Sequence, residues 1–261
     1  MPASNSVAVL PTGNTTGSRP SGSVEPAQLS NATKSWWYTP NTTHTTPVVP
    51  ADIKLWLKKY NGYYVGDTNP AHKNIYLTFD EGYENGYTSK ILDSLKSEHV
   101  HAAFFVTASY IRKNPDLIQR MVAEGHLVGN HSSTHPSMPS LVNTPSKFNY
   151  EFTDTEQAYH DVTGLTMPKF FRPPIGEYSQ KTLVLTQQLG YRSIFWSFAH
   201  RDWETNNQPP VSVTHDRVVN GSHPGAILLL HAVSQSDTEA LGSIIEDLRA
   251  QGYTFATLSN L

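Results

Sequence analysis

From about residue 74 onward, short β-prone runs of apolar residues recur between longer mixed segments. They fall at 75–79, 102–106, 126–129, 169–171, 193–198, 226–230 and 253–258. Most are continuous rather than alternating, the pattern of strands buried on both faces in a parallel sheet. The intervening segments carry helical signals. One is TSKILDSLKS; another, NPDLIQRMVAEG, has Pro115 early and Gly125 as a stop; DTEALGSIIEDLRAQG ends on a glycine. About seven such units predict an α/β fold. The architecture expected is a distorted or incomplete (β/α) barrel of about seven strands, with an open doubly wound sheet as the alternative.

Upstream the pattern changes. Residues 1–34 are rich in Ser, Thr, Asn, Pro and Gly, poor in large apolar groups, and read as a disordered N-terminal tail. Residues 35–73 bring Trp36, Trp37, Trp56, Tyr63 and Tyr64 and read as an ordered lead-in that packs on the barrel. Residues 74–261 are left as the main domain.

Composition narrows the chemistry. The chain has no cysteine, which excludes a disulfide framework, a thiol nucleophile and any Cys-type zinc site. Net charge is −3 with no long basic run, which argues against nucleic acid as a partner. The longest apolar run, AILLL, is strand-sized, so no integral membrane segment is expected. The N-terminus lacks the basic and apolar regions of a signal peptide, so the chain reads as a mature form with no targeting signal.

A barrel of this kind gathers its active site at the C-terminal ends of its strands. Here five strands end in charged or ligating groups: Asp80 and Glu81, then His131 and His135, then Arg172, then His200, Asp202 and Trp203, then His231. Two histidines four apart can share one helical face and bind a metal, or they can cap a loop; Pro136 ends any helix at His135. Asp80 and Glu81 point to opposite faces of a strand unless it breaks, which Gly82 permits. Arg172, stiffened by two prolines, suits a two-point grip on a carboxylate, or it makes a surface salt bridge. His231 is either a satisfied core histidine or, with Asp202 raising its pKa, a general acid.

Taken in order, TFDEG, HSSTHP, RPPIG, the Asp202–Trp203 pair and LLLH resemble the polysaccharide deacetylases, also called NodB-homology domains or family 4 carbohydrate esterases, over residues 74–261. YNGYYVGD, LTFDEGYENGYT, EGHLVGNHS and HPGAILLLHAVSQSDTEAL look like the branch that deacetylates N-acetylmuramic acid on the route to the muramic δ-lactam of spore cortex. The resemblance implies a divalent metal, usually zinc, with cobalt or manganese as alternatives. Mapped by motif, it makes Asp80 the general base, Glu81, His131 and His135 the metal ligands, Arg172 the orienter of Asp80, and Asp202 the partner of the general acid His231. Trp203 and Leu229 would wall the acetyl pocket, and Ile175 and Tyr83 would shape the groove. Peptidoglycan strands are then the partner, the envelope or exterior of a bacterium the location, and a monomer the state.

This chain departs from the usual motif with Glu81 in place of Asp, Tyr83 in place of a common proline, and Ile175 in place of a common aromatic residue. Amide hydrolysis needs an activated water, a sink for charge on the carbonyl oxygen, and a proton for the leaving amine. The residues listed supply all three, without a Gly-x-Ser-x-Gly elbow. The alternatives are an N-acetylglucosamine deacetylase of peptidoglycan or chitin, a catalytically weak glycan-binding protein, and a glycosidase built on Asp80 and Glu81. A cation near the rim, with Arg201 as the sequence's offer, would distinguish muramic acid by its lactyl carboxylate.

Overall fold

A computed structural model describes residues 28–261. The lead-in forms β1 (Lys34–Ser35), α1 (Ala51–Lys59) and β2 (Gly62–Tyr63). There follow β3 (Asn74–Glu81), α2 (Thr88–Ser97), β4 (Ala103–Val106), α3 (Ala108–Lys113), α4 (Pro115–Ala123) and β5 (Leu127–Asn130). Next come α5 (Pro145–Thr163), β6 (Phe170–Phe171), β7 (Glu177–Tyr178), α6 (Gln180–Gln188), β8 (Arg192–Ile194) and β9 (Phe198–Ala199). The chain ends with α7 (Val211–Gly221), β10 (Ala226–His231), α8 (Gln235–Ala250) and β11 (Thr254–Phe255).

Among the described residues, eight strands run in the order β2-β8-β6-β5-β4-β3-β10-β9, all neighbours parallel, and β11 lies alongside β3. The terminal strands β2 and β9 do not pair, so the curled sheet is an incomplete barrel, as the pattern predicts. One strand more than the expected seven arises because the run at 193–198 divides. Its first half is β8; the backbone then leaves the sheet and rejoins as β9, with the Ser197 amide donating to the Ile227 carbonyl at 3.0 Å. The other addition is β2, a strand contributed by the lead-in. The lead-in is thus part of the sheet as well as packed on it.

Strand alternation sorts the side chains into two layers. Ile75, Leu77 and Phe79 of β3 join Phe104, Val106, Leu228 and Leu230 in the large core beneath the helices, with Leu92 and Leu95 of α2 and Leu241, Ile244 and Leu248 of α8. Tyr76 of β3 faces the other way and joins Phe105, Ile194 and Ile227 inside the curl. Burying a large aliphatic or aromatic side chain is worth ~1.5–3 kcal/mol, so this two-sided arrangement fixes the register of β3 firmly. Gly129 of β5 is required by packing: a Cβ there would sit 2.7 Å from the Phe105 ring and 3.2 Å from the Phe170 carbonyl oxygen.

The lead-in has its own core. Trp36 stacks on Phe195 with centroids 4.5 Å apart, its indole N–H donates to the Trp196 carbonyl at 2.9 Å, and Ile53 and Leu57 of α1, with Tyr60 at its C-terminal cap, belong to the same cluster. Upstream, the tail expected over 1–34 meets a structured segment from residue 28. Asn31 donates to the Pro139 carbonyl at 2.9 Å and accepts from the Ser179 hydroxyl at 2.8 Å, and Leu29 packs on the same core. The rest of that expectation, residues 1–27, lies outside the described residues.

Candidate active site

Register assembles the site. β3 and β10 pair so that Asp80 lies opposite His231, both pointing inward, and β5 and β6 pair Asn130 with Phe171, which puts His131 beside Arg172. Together with loop residues they wall a cavity of about 820 Å³. Asp80, His131, His135 and His231 line it, and so do all four residues expected to contact substrate: Tyr83, Ile175, Trp203 and Leu229.

Arg172 is fully buried, and its guanidinium donates to Asp80 Oδ1 at 2.7 Å and to the Ile194 carbonyl at 3.2 Å while lying 4.2 Å from the Phe105 ring centroid. It holds Asp80 through one guanidinium nitrogen, not in the two-point grip expected, and is no surface salt bridge. Burial pushes the Asp80 carboxyl up, but the Arg172 guanidinium, with His131 and His231, outweighs it and holds the group below the usual carboxylate range. Asp80 is ionised at neutral pH.

His131 and His135 meet without a helix. Ser132 and His135 both adopt left-handed backbone, and Ser132 Oγ accepts from the His135 amide at 2.9 Å, so a bent loop replaces the helical turn considered from the spacing. Pro136 is the reason, since it disfavours α-helical backbone at His135. The His131 Nδ1–H donates to the Arg172 carbonyl at 2.9 Å, which leaves its Nε2 lone pair facing the cavity. That Nε2 lies 3.2 Å from His135 Nε2 and 3.5 Å from Asp80 Oδ2. Burial lowers both imidazoles, His131 to about 4, so both are neutral at pH 7. Two facing neutral imidazoles beside a carboxylate form a donor set suited to a divalent cation, with the orienting backbone bond that metal-binding histidines use.

Glu81 is not part of that set. β3 continues unbroken through residue 81, so the strand alternation that turns Asp80 inward turns Glu81 outward, beneath the helices. There it is fully buried and accepts from Thr88 Oγ1 at 3.3 Å; Thr88 and the Tyr110 hydroxyl also bond Glu84. Burial, then the neighbouring Glu84, raises its pKa well above the ordinary value. The expectation that Glu81 completes the metal ligands is corrected: Gly82 does end the strand, but only after the helix-side core has held β3 extended through residue 81.

On the opposite wall, His231 Nδ1–H donates to Asp202 Oδ1 at 2.7 Å, and the His231 amide donates to Oδ2 at 2.7 Å. Burial lowers the His231 pKa, but the Asp202 charge and hydrogen bond prevail and raise it; Asp202 itself is held down at about 2. Trp203 packs edge-on against the imidazole at 5.6 Å. Behind this pair, His200, Asp202 and Asp237 form a His–Asp–Asp group with donor atoms within 4.8 Å of one another, a spacing a metal could use. Both Asp202 oxygens already serve His231, and Asp237 Oδ1 serves His200 Nε2 at 2.9 Å, so the group buttresses the His231–Asp202 pair.

Sequence reasoning missed Tyr38, Thr107, Ser109 and Trp196 in the cavity wall, and Asp237 behind it. The aromatic SWWYTP segment was a signal for Tyr38. Asp237 opens α8 with no strand-end pattern to mark it.

The comparisons agree with this geometry. The sequence model of the polysaccharide deacetylases matches residues 67–194. The peptidoglycan-N-acetylmuramic acid deacetylase PdaA of Bacillus subtilis is 39% identical over 240 residues, 92% of this chain and 90% of that protein. The solved structure of Bacillus subtilis PdaA, a family 4 carbohydrate esterase, superposes with a TM-score of 0.85 at 40% identity, covering 89% of this chain and 98% of the other. A peptidoglycan-N-acetylglucosamine deacetylase of Bacillus cereus is 31% identical over 210 residues, 79% of this chain and 74% of that protein. With relatives this similar over most of its length, this chain belongs to the polysaccharide deacetylase family.

Proposed function

We propose that this chain hydrolyses the acetamide of N-acetylmuramic acid residues in peptidoglycan, on the route to the muramic δ-lactam of spore cortex, acting as a secreted or envelope-associated monomer. The observation that carries the reading is the convergence on one cavity of an ionised Asp80 gripped by Arg172, two neutral facing histidines, and a His231 whose pKa Asp202 raises. Likeness to the muramic acid deacetylase across nine-tenths of both chains supports the choice of sugar. No helix among the described residues is long and apolar enough to cross a membrane.

Deacetylases of this family are metal-dependent. Here His131 and His135 would hold the metal, zinc by preference for imidazole, with positions left open for water and substrate. Bound there, it supplies Lewis-acid polarisation of the acetyl carbonyl and lowers the pKa of water. The residues do the rest. Asp80, fixed by Arg172, takes the proton of the attacking water as a new bond forms to the carbonyl carbon. As the C–N bond breaks, His231 Nε2 gives its proton to the sugar nitrogen. Acetate and a free amine leave, and no covalent enzyme intermediate is required. Leu229, Trp203, Tyr83 and Ile175 surround the acetyl group and its sugar.

The test is incubation with amidase-treated glycan strands followed by mass spectrometry of the digested muropeptides. Loss of acetyl from muramic acid is the expected result. Loss from glucosamine alone would transfer the reading to the N-acetylglucosamine deacetylases, which the Bacillus cereus relative represents.

A further inference from the structure

A second cavity of about 430 Å³ adjoins the catalytic one, and Tyr38 and Ala199 wall both. One side is a face of α7: Val213, Asp216, Arg217 and Asn220 fall at i, i+3, i+4 and i+7, while Thr214, Val218 and Val219 face the core. The other side is the lead-in loop from Pro40 to Pro47, pinned at its base by a bridge between Thr39 and Val48. The shared wall is fixed as well, since the Ala199 amide donates to the Tyr38 hydroxyl at 2.8 Å.

Two charged side chains, Asp216 and Arg217, line this cavity. Among the described residues, Arg217 is the one arginine or lysine lining either cavity, it is exposed, and it has no carboxylate within ion-pair distance. Asp216 beside it is engaged by His215 Nδ1 at 3.1 Å, and burial keeps the neighbouring His200 below its ordinary pKa and neutral. Arg201, the rim cation that the sequence offers, is paired with Glu204 instead. Tyr38 and Ala199 therefore separate a catalytic cavity suited to an acetamide from a cavity holding a free guanidinium.

We infer that the second cavity is an anion subsite, in which Arg217 binds the lactyl carboxylate of the muramoyl residue whose acetamide occupies the catalytic cavity. The inference rests on the muramic acid reading above and supplies its specificity determinant. The lactyl ether of muramic acid sits on C3, the carbon next to the one that carries the acetamide, so the two groups leave adjacent ring atoms and can enter adjoining cavities. N-acetylglucosamine has a neutral hydroxyl at that carbon and offers the guanidinium nothing. Arginine suits the task because its planar fork meets both carboxylate oxygens. The lead-in loop gains a role in this arrangement, as the outer wall of the subsite.

The test uses amidase-treated glycan strands with free lactyl carboxylates, the same strands with those carboxylates converted to methylamides, and a chitooligosaccharide. Wild type and R217A are compared on each. Masking the carboxylate is expected to raise the wild-type KM by about two- to fivefold, the range of a partly exposed ion pair, and to leave R217A unaffected. The muramic-to-glucosamine ratio of kcat/KM is expected to fall in R217A by the same factor, with partial recovery in R217K. An equal cost of masking in both enzymes overturns the subsite while leaving the deacetylase reading intact. A wild type that frees no amine from any strand overturns both.

Discussion

Asp202 shows how one side chain sets the working range of another. It places both oxygens on His231, and its charge keeps that imidazole protonated above the ordinary value of 6.5 although burial acts in the opposite sense. A general acid works in its protonated form, so activity is expected to persist to a pH above 6.5 and to fall as pH rises through the raised pKa. D202N removes the charge but leaves the burial. Its alkaline limb, read from a kcat/KM profile, should move down by about one unit or more. The stability contributed by protonated His231 has the same sign: full below 6.5 and lost as pH climbs through the raised value.

Glu81 is the residue where sequence and structure part. The motif tells that a carboxylate follows Asp80; it does not tell that β3 runs on through position 81 and carries that carboxylate out of the cavity. E81Q is therefore expected to bind metal as wild type does, and H131A to lose it, with metal content after dialysis as the readout. Loss in E81Q would return Glu81 to the ligand set. Asp80, His131, His135, Arg172 and His231 were legible because each ends a strand and the barrel rule gathers strand ends. Asp237 was not, because it arrives from a helix start through tertiary packing alone, and the aromatic run around Tyr38 marked packing without marking a cavity wall.

At the scale of elements, the long apolar runs were readable, and of the two-residue strands β6 and β11 fell within predicted runs while β1, β2 and β7 did not. β3 and β10 have enough consecutive apolar positions to announce themselves, whereas β2, a Gly–Tyr pair, becomes a strand only because β8 offers it an edge. The division of one run into β8 and β9 is likewise tertiary in origin: it carries Trp196 out of the sheet into the cavity wall. β5 depends on close approach, with Phe105 filling the space a side chain at 129 would need. G129A is expected to cost about 1–3 kcal/mol in urea denaturation through overpacking. Because His131 follows two residues later, kcat should fall with it.

For the molecule as a whole, the lead-in and the barrel are one body. Trp36 is the joint: its ring stacks on Phe195, its N–H reaches Trp196, and its neighbour Tyr38 stands between the two cavities. W36A is expected to lower stability by about 3–5 kcal/mol, the usual cost of deleting a buried aromatic, as measured by chemical denaturation. It should also weaken substrate binding, since the wall it anchors carries Tyr38. The strand that residues 62–63 give to the sheet could be seen only once β8 was in place.

The pairing of β1 with β7, Lys34 with Tyr178, has a consequence for how the chain reaches this state. β1 and β7 are antiparallel, but the long chain between them rules out a hairpin, so the earliest described strand waits for a partner made much later. During synthesis the Trp36 cluster emerges with its apolar face bare and stays so until residues near 195 have appeared, because Phe195 completes it. Closure of that long loop is then a late event in folding, and neither cavity is complete before it, because Tyr38 of the lead-in and Ala199 wall both.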